Sequence, residues 1–260
     1  MLVAVAATLP ATANADDWPR RLFPIARADD AQDDAVQDFL ERPDGAILVA
    51  SGSEDSFRGR VRELSLDGRL RTVVEFRRGG GRSGIGLLAD RGSRFLAIDG
   101  WGELVRRVRA SGKSSPFAGT GRSGFSGDGG PATAARLYFG ASGFLGLART
   151  ADGSVVFPDA WNNRLRRVRP DGVIETIAGV GPSVTASSSC PLGGDGALAT
   201  KTSLCGPTDV LATADGALIV SETGWGRIRR IAPNGTITTI AGDGSRRSRG
   251  APRSQARRRR

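Results

Sequence analysis

The sequence predicts an all-β protein, a β-propeller of four-stranded antiparallel blades, and three observations predict it. A 19-residue window recurs four times without a gap. Turn dipeptides frame each recurrence at matching offsets. Four short runs per unit, rich in β-branched and aromatic residues, lie between the turns, as the strands of a repeated small sheet would. A period of roughly 40–60 residues belongs to repeat architectures, whose units bury their faces against one another.

The windows centre on Leu64, Val108, Val168 and Ile231. Nine positions before each centre stands an acid: Asp55, Asp99, Asp159 and Glu222. Three before is a branched aliphatic, Val61, Val105, Leu165 or Ile228, and two before is Arg62, Arg106, Arg166 or Arg229. Four after is Gly68, Gly112, Gly172 or Gly235, and nine after is Val73, Phe117, Ile177 or Ile240.

The elements of a unit follow in a fixed order. The first strand is expected in Val36–Leu40, Gly84–Ala89, Gly143–Ala148 and Thr208–Ala212, and an opening turn follows at Asp44-Gly45, Arg91-Gly92, Asp152-Gly153 and Asp215-Gly216. The second strand is AILVAS, SRFLAID, SVVFPD or ALIVSE. A loop holding Trp101, Trp161 or Trp225 in the last three units leads to the third strand, such as RLRRV at Arg164–Val168. A second turn at Asp67-Gly68, Ser111-Gly112, Asp171-Gly172 or Asn234-Gly235 supplies the positive φ that two-residue hairpins need. RLRTVVEF, KSSPFAG, VIETIAG or TITTIAG closes the unit. The third strand does not alternate cleanly, because its aliphatic columns stand three residues apart. Burial of both sheet faces accounts for this, and so does a bulge.

Between the units lie Gly-rich linkers that themselves repeat. In GFSGDGGPATAARLYFG (Gly124–Gly140) and GGDGALATKTSLCGP (Gly193–Pro207), Asp128 aligns with Asp195 and Leu137 with Leu204. With the ADG turn and NNRLRRVRPDGVIETIAG, these linkers resemble the NHL-repeat family in its bacterial and teneurin-type form. The resemblance covers about residues 36–244 and is strongest in Phe117–Gly181 and Gly206–Gly244. It implies a β-propeller, usually six-bladed, that serves as a binding platform. Four units are visible, so the arc reads as an incomplete six-bladed ring. An open arc exposes a blade face, and self-association is one expected way to close it.

Composition narrows the chemistry. The 260 residues carry a formal net charge of +10, yet eight of the 37 basic residues stand in the last sixteen. The body is thus nearly neutral, and specific nucleic-acid binding is not expected of it. There is no histidine, which excludes an imidazole base, a Ser-His-Asp triad and a His-ligated zinc. No cofactor or metal is expected beyond a weakly bound divalent cation.

Residues 1–15 read as a signal peptide, an apolar stretch ending in Ala13-Asn14-Ala15. The apolar run is too short to span a membrane, and no Lys or Arg precedes it. Residues 16–35 form an N-terminal segment, 36–244 the propeller, and 245–260 an Arg-rich disordered tail. The tail replaces the linker that the repeat predicts after Gly244. It reads as a frameshifted or truncated frame, with a basic tail for an anionic surface as the alternative. Export to the periplasm, cell surface or medium favours a disulfide between Cys190 and Cys205. Their spacing suits neither CxxC redox nor metal chemistry.

Each candidate site residue has a functional and a structural reading. The acids Asp99, Asp159 and Glu222, with Asp55, would make a carboxylate ring around a channel, or, more simply, accept N–H bonds in the following turn. Arg106, Arg166 and Arg229 would bind phosphate or acidic glycan, or pair with acids of neighbouring blades and cover apolar surface. Gly112, Gly172 and Gly235 are turn glycines. Asp128 and Asp195 lack the ligand spacing of a calcium loop. Trp101, Trp161 and Trp225 would make a binding face if exposed, or inter-blade packing if buried. The function expected is a non-catalytic scaffold for a protein or glycan partner on a propeller face. A gluconolactonase-like hydrolase or a lyase with a channel metal, or a fragment of a longer NHL protein, are the alternatives.

Overall fold

The computed structural model describes residues 34–42, 44–53, 58–65, 68–77, 84–140, 145–181 and 192–244. Asp55, Cys190, the expected signal peptide and the arginine tail lie outside them. The described strands form four separate four-stranded antiparallel sheets, each a meander of consecutive strands. Blade 1 holds β1 (Asp34–Glu41), β2 (Ile47–Ser53), β3 (Arg58–Leu64) and β4 (Leu70–Arg77). Blade 2 holds β5 (Leu87–Ala89), β6 (Phe95–Asp99), β7 (Leu104–Val108) and β8 (Ser114–Ala118). Blade 3 holds β9 (Ala148–Arg149), β10 (Val155–Asp159), β11 (Arg164–Val168) and β12 (Ile174–Ala178). Blade 4 holds β13 (Pro207–Ala212), β14 (Leu218–Glu222), β15 (Arg227–Ile231) and β16 (Ile237–Ala241). This is the propeller architecture that the repeat predicts.

Three apolar cores lie between the four blades. Leu48, Ala50 and Val61 of blade 1 meet Phe95, Ala97 and Val108 of blade 2. Leu96, Ile98 and Val105 of blade 2 meet Val155, Phe157 and Val168 of blade 3. Val156 and Leu165 of blade 3 meet Val220 and Ile231 of blade 4. Each sheet is therefore apolar on both faces, one for each neighbour.

That arrangement explains the three-residue spacing. β11 pairs with β10 in unbroken register; Leu165 then faces blade 4 while Val168 faces blade 2. A bulge is present as well, but on the fourth strand. In all four blades the register slips by one residue between the third and fourth strands. The extra residue is Val73, Phe117, Ile177 or Ile240, the apolar column nine positions after each centre.

The linkers wrap the outer edges of the blades that they enter. Gly129 N–H donates to the Ile174 carbonyl at 2.8 Å, and Ile174 N–H donates to Gly130 at 3.0 Å. Gly196 and Ala197 bracket Ile237 in the same way. Exposed strand edges are thereby covered. The outer strand of blade 2 carries Pro116 at an exposed position, a residue that an edge strand tolerates because no ladder partner needs its missing N–H.

The two outermost faces remain open. Leu211, Ile228 and Ile240 of blade 4 are 61%, 40% and 53% exposed, whereas their counterparts of Ile228 inside the arc, Val105 and Leu165, are fully buried. On blade 1, Phe39 is exposed and Ile47, Val49 and Leu64 are half-buried, whereas their counterparts Leu87, Phe95, Ala97 and Val108 are buried.

The opening turn of blade 2 departs from the sequence alignment. Ala89 pairs with Phe95 and Arg149 with Val155, so the two turns have equal length. Gly92 then occupies the position of Asp152, and the positive-φ glycine falls one residue earlier than in blade 3.

Candidate functional site

In blades 2, 3 and 4 the acid of the window ends the second strand and its arginine lies in the third, seven residues later. The hairpin register pairs Asp159 with Arg164, which makes Arg166 its diagonal neighbour on the same face. Arg166 is fully buried and bonds Asp159 at 3.1 Å, Asp128 of the incoming linker at 2.7 Å and the Ser126 carbonyl at 3.1 Å. Blade 4 repeats the arrangement. Arg229 meets Glu222 at 3.2 Å, Asp195 at 3.1 Å and the Gly194 carbonyl at 2.9 Å. In blade 2, Arg106 meets Asp99 at 2.7 Å and retains 27% exposure.

One expectation is corrected. Arg106, Arg166 and Arg229 pair with the acid of their own blade, and the last two also with the linker aspartate, rather than with acids of neighbouring sheets. The side chains of Asp99, Asp159 and Glu222 are spent in these pairs, in line with the structural reading of the acids rather than with a carboxylate ring. Asp128 and Asp195 serve as arginine partners, and the backbone N–H of Thr239 holds the Asp195 carboxyl below its ordinary range.

The second oxygen of each acid organises the backbone. Asp99 accepts from Gly102 N–H at 2.9 Å, within the following turn as expected. Asp159 instead accepts from Tyr138 N–H at 2.7 Å, and Glu222 from Cys205 N–H at 2.8 Å. The next linker amide turns to the preceding blade: Phe139 N–H donates to Glu103 at 2.6 Å, and Gly206 N–H to Asn163 at 2.9 Å. Two successive linker amides thus clamp adjacent blades. Burial pushes the Asp159 carboxyl up against the opposing pull of these bonds, and it pushes Glu103 up to about 7.

Sequence reasoning missed the column Glu103, Asn163 and Gly226. These side chains share no chemistry; they share positive φ, at 50°, 51° and 57°. It also missed Asp38 and Asp209, on the first strands of blades 1 and 4. Burial raises both carboxyls, and the Asp209 charge raises Asp38 further. Asp38 accepts from Leu87 N–H at 2.6 Å. Among the described residues, no three metal-ligating side chains gather.

Trp101, Trp161 and Trp225 all lie on the turns between second and third strands and are all half-buried. Trp161 packs against the core between blades 2 and 3. Its ring lies 5.1 Å from that of Tyr138 and occupies the space that a Cβ on Gly140 would need. Nearby, Arg164 stacks at 3.8 Å over the exposed ring of Phe125, and Asn162 bonds the Gly124 carbonyl at 2.8 Å. The turn glycines Gly112, Gly172 and Gly235 all have positive φ. Cys205 is buried, and its expected partner lies outside the described residues. No helix among the described residues is long and apolar enough to cross a membrane.

No protein-family model matches the sequence, and neither does any curated protein. Among solved structures, an auxiliary nutrient binding protein from Bacteroides thetaiotaomicron is similar at 14% identity and TM-score 0.56, over 78% of this chain and 48% of that one. Another, from Bacteroides ovatus, is similar at 11% identity and TM-score 0.54, over 80% and 47%. A streptogramin B lyase is similar at 14% identity and TM-score 0.48, over 80% and 56%. The chain thus spans about half the length of these proteins, and at such identities the likeness is one of fold.

Proposed function

We propose that this chain is an exported NHL-type propeller that binds a protein or glycan partner without catalysis. The binding face comprises the tryptophan turns and incoming linkers. The observation that carries this reading is the internal use of the recurring charges. Asp159, Arg166 and their counterparts hold the linkers in place, and among the groups left wholly or partly open to solvent are Phe125, Arg164 and Trp161. Aromatic rings and a stacked guanidinium on a rigid support suit sugar faces and peptide side chains. The nutrient-binding propellers of like fold are consistent with it.

The test is an array of neutral and acidic glycans and secreted proteins probed with the full chain, Trp161→Phe and Arg164→Ala. The expected outcome is a retained partner whose binding both variants weaken. One stoichiometric, tightly held divalent ion per purified chain, with Asp38 and Asp209 among its ligands, would instead favour the hydrolase or lyase reading.

We propose in addition that a second copy covers the open blade faces. The face of blade 4 is built from the columns that, inside the arc, pack on the columns forming the open face of blade 1. A second copy therefore offers a ready complement.

A further inference from the structure

We propose that the groove between blades 2 and 3, at the end of the blades opposite the tryptophan turns, binds an acidic polysaccharide through its carboxylate or sulfate groups. The groove has a volume of about 680 Å³, and Arg91, Arg94, Arg107, Arg149 and Arg169 line it.

Three of these arginines are peculiar to their blades. By strand register, Arg91 stands where blades 3 and 4 have Ala151 and Ala214. Arg94 stands where the other blades have Ala46, Ser154 and Ala217, and Arg149 where they have Glu41, Ala89 and Ala212. Residues shared by all units are what the blade needs in order to fold. Arg149 also ties blade 3 to blade 2, at the Ala89 carbonyl and Asp90; the departures at Arg91 and Arg94, both opening on the same groove, have no such explanation.

The charges do not balance. Asp90 lies between Arg107 at 2.8 Å and Arg149 at 3.2 Å, one carboxylate for two guanidinium groups. Arg169 pairs with Asp171 at 2.7 Å. Among the described residues, Arg91 and Arg94 meet no carboxylate; Arg94 reaches only the Arg91 carbonyl, at 3.4 Å. Five cations thus face two carboxylates. The corresponding groove between blades 3 and 4 is lined by Asp152 and Arg167, and that arginine is paired with Glu175 at 2.8 Å.

Blade 2 also forgoes a turn bond. Asp44, Asp152 and Asp215 accept the N–H of Ala46, Ser154 and Ala217 in the other opening turns; Gly92 occupies that position in blade 2. The walls are stiff and partly apolar. Pro116, Pro131 and Pro170 line the groove, and Arg107 lies 5.0 Å over the Phe117 ring. Planar guanidinium forks in such a site match carboxylate and sulfate oxygens. A short charged groove on a nearly neutral body suits a glycan segment better than a nucleic-acid backbone, which needs an extended basic track.

Calorimetric titration of the full chain tests this, with an oligogalacturonate and a sulfated heparin oligosaccharide as acidic probes and maltohexaose as the neutral one. Binding of at least one acidic probe, weakened by added salt, is expected, and which one binds distinguishes carboxylate from sulfate recognition. Arg91→Ala/Arg94→Ala should weaken it by about tenfold or more, while Arg109→Ala leaves it unchanged; Trp161→Phe is titrated alongside. The proposal is overturned if neither acidic probe binds, if the neutral probe binds equally, or if the double variant binds as the parent does. Tighter binding of a single-stranded oligonucleotide of equal charge also overturns it. Loss of binding in Trp161→Phe but not in the double variant would place the ligand on the opposite face.

Discussion

Arg166 and Asp159 form a 3.1 Å ion pair in which neither side chain has any exposure. Breaking such a pair leaves the buried Arg166 with only the part-exposed Asp128 as its counter-charge, at a cost approaching the ~3–5 kcal/mol of a fully uncompensated buried charge. Asp159→Asn should therefore lower the denaturation midpoint strongly. Asp99→Asn, whose partner Arg106 is open to solvent on one side, should cost about 1 kcal/mol. Chemical denaturation of both variants checks the ranking, and equal losses would contradict the account of the linker as a cover.

The turn glycines should not be equivalent. Gly112 and Gly172 have φ of 81° and 85°, so alanine at either costs about 1 kcal/mol in backbone strain. A Cβ on Gly112 would also collide with the Val73 carbonyl of blade 1, whereas one on Gly172 meets nothing within 4 Å. Gly112→Ala should be clearly the more destabilising in thermal melts. Gly235→Ala, with only Leu198 at 3.6 Å, should follow Gly172→Ala.

Glu103 should make stability depend on pH. Its carboxyl rises from 4.5 to about 7 because burial disfavours the charge. The folded state thus binds the proton more tightly than the unfolded one. The contribution is full below pH 4.5, declines as pH rises toward 7 and is lost above it. Glu103→Gln should remove about 2 kcal/mol of this slope and melt higher than the parent at pH 8. Melting curves across pH 4–8 decide, and parallel profiles would refute it.

The open face of blade 4 should govern association. Ile228→Lys with Ile240→Lys should shift the chain toward monomer in light scattering across a concentration series. An unaltered distribution, or a parent that is monomeric throughout, would count against docking of a second copy.

The blades were legible in the sequence because each must repeat the same turn chemistry and the same two-sided apolar pattern. Leu165 and Val168, the turn glycines and the recurring Asp159 and Arg166 follow from local geometry that every unit obeys. The clamp of Glu103 on Phe139 was not legible, since Glu103, Asn163 and Gly226 are related by backbone conformation and not by side-chain type. Nor was the partner of Arg166. Asp128 lies 38 residues away, and only the path of the linker along the outer edge brings it there. The sequence by itself determined the unit, its strands and its register, because those depend on neighbours along the chain. The tertiary structure decided which charges are buried and which faces or grooves stay open, because those depend on the blade packed alongside.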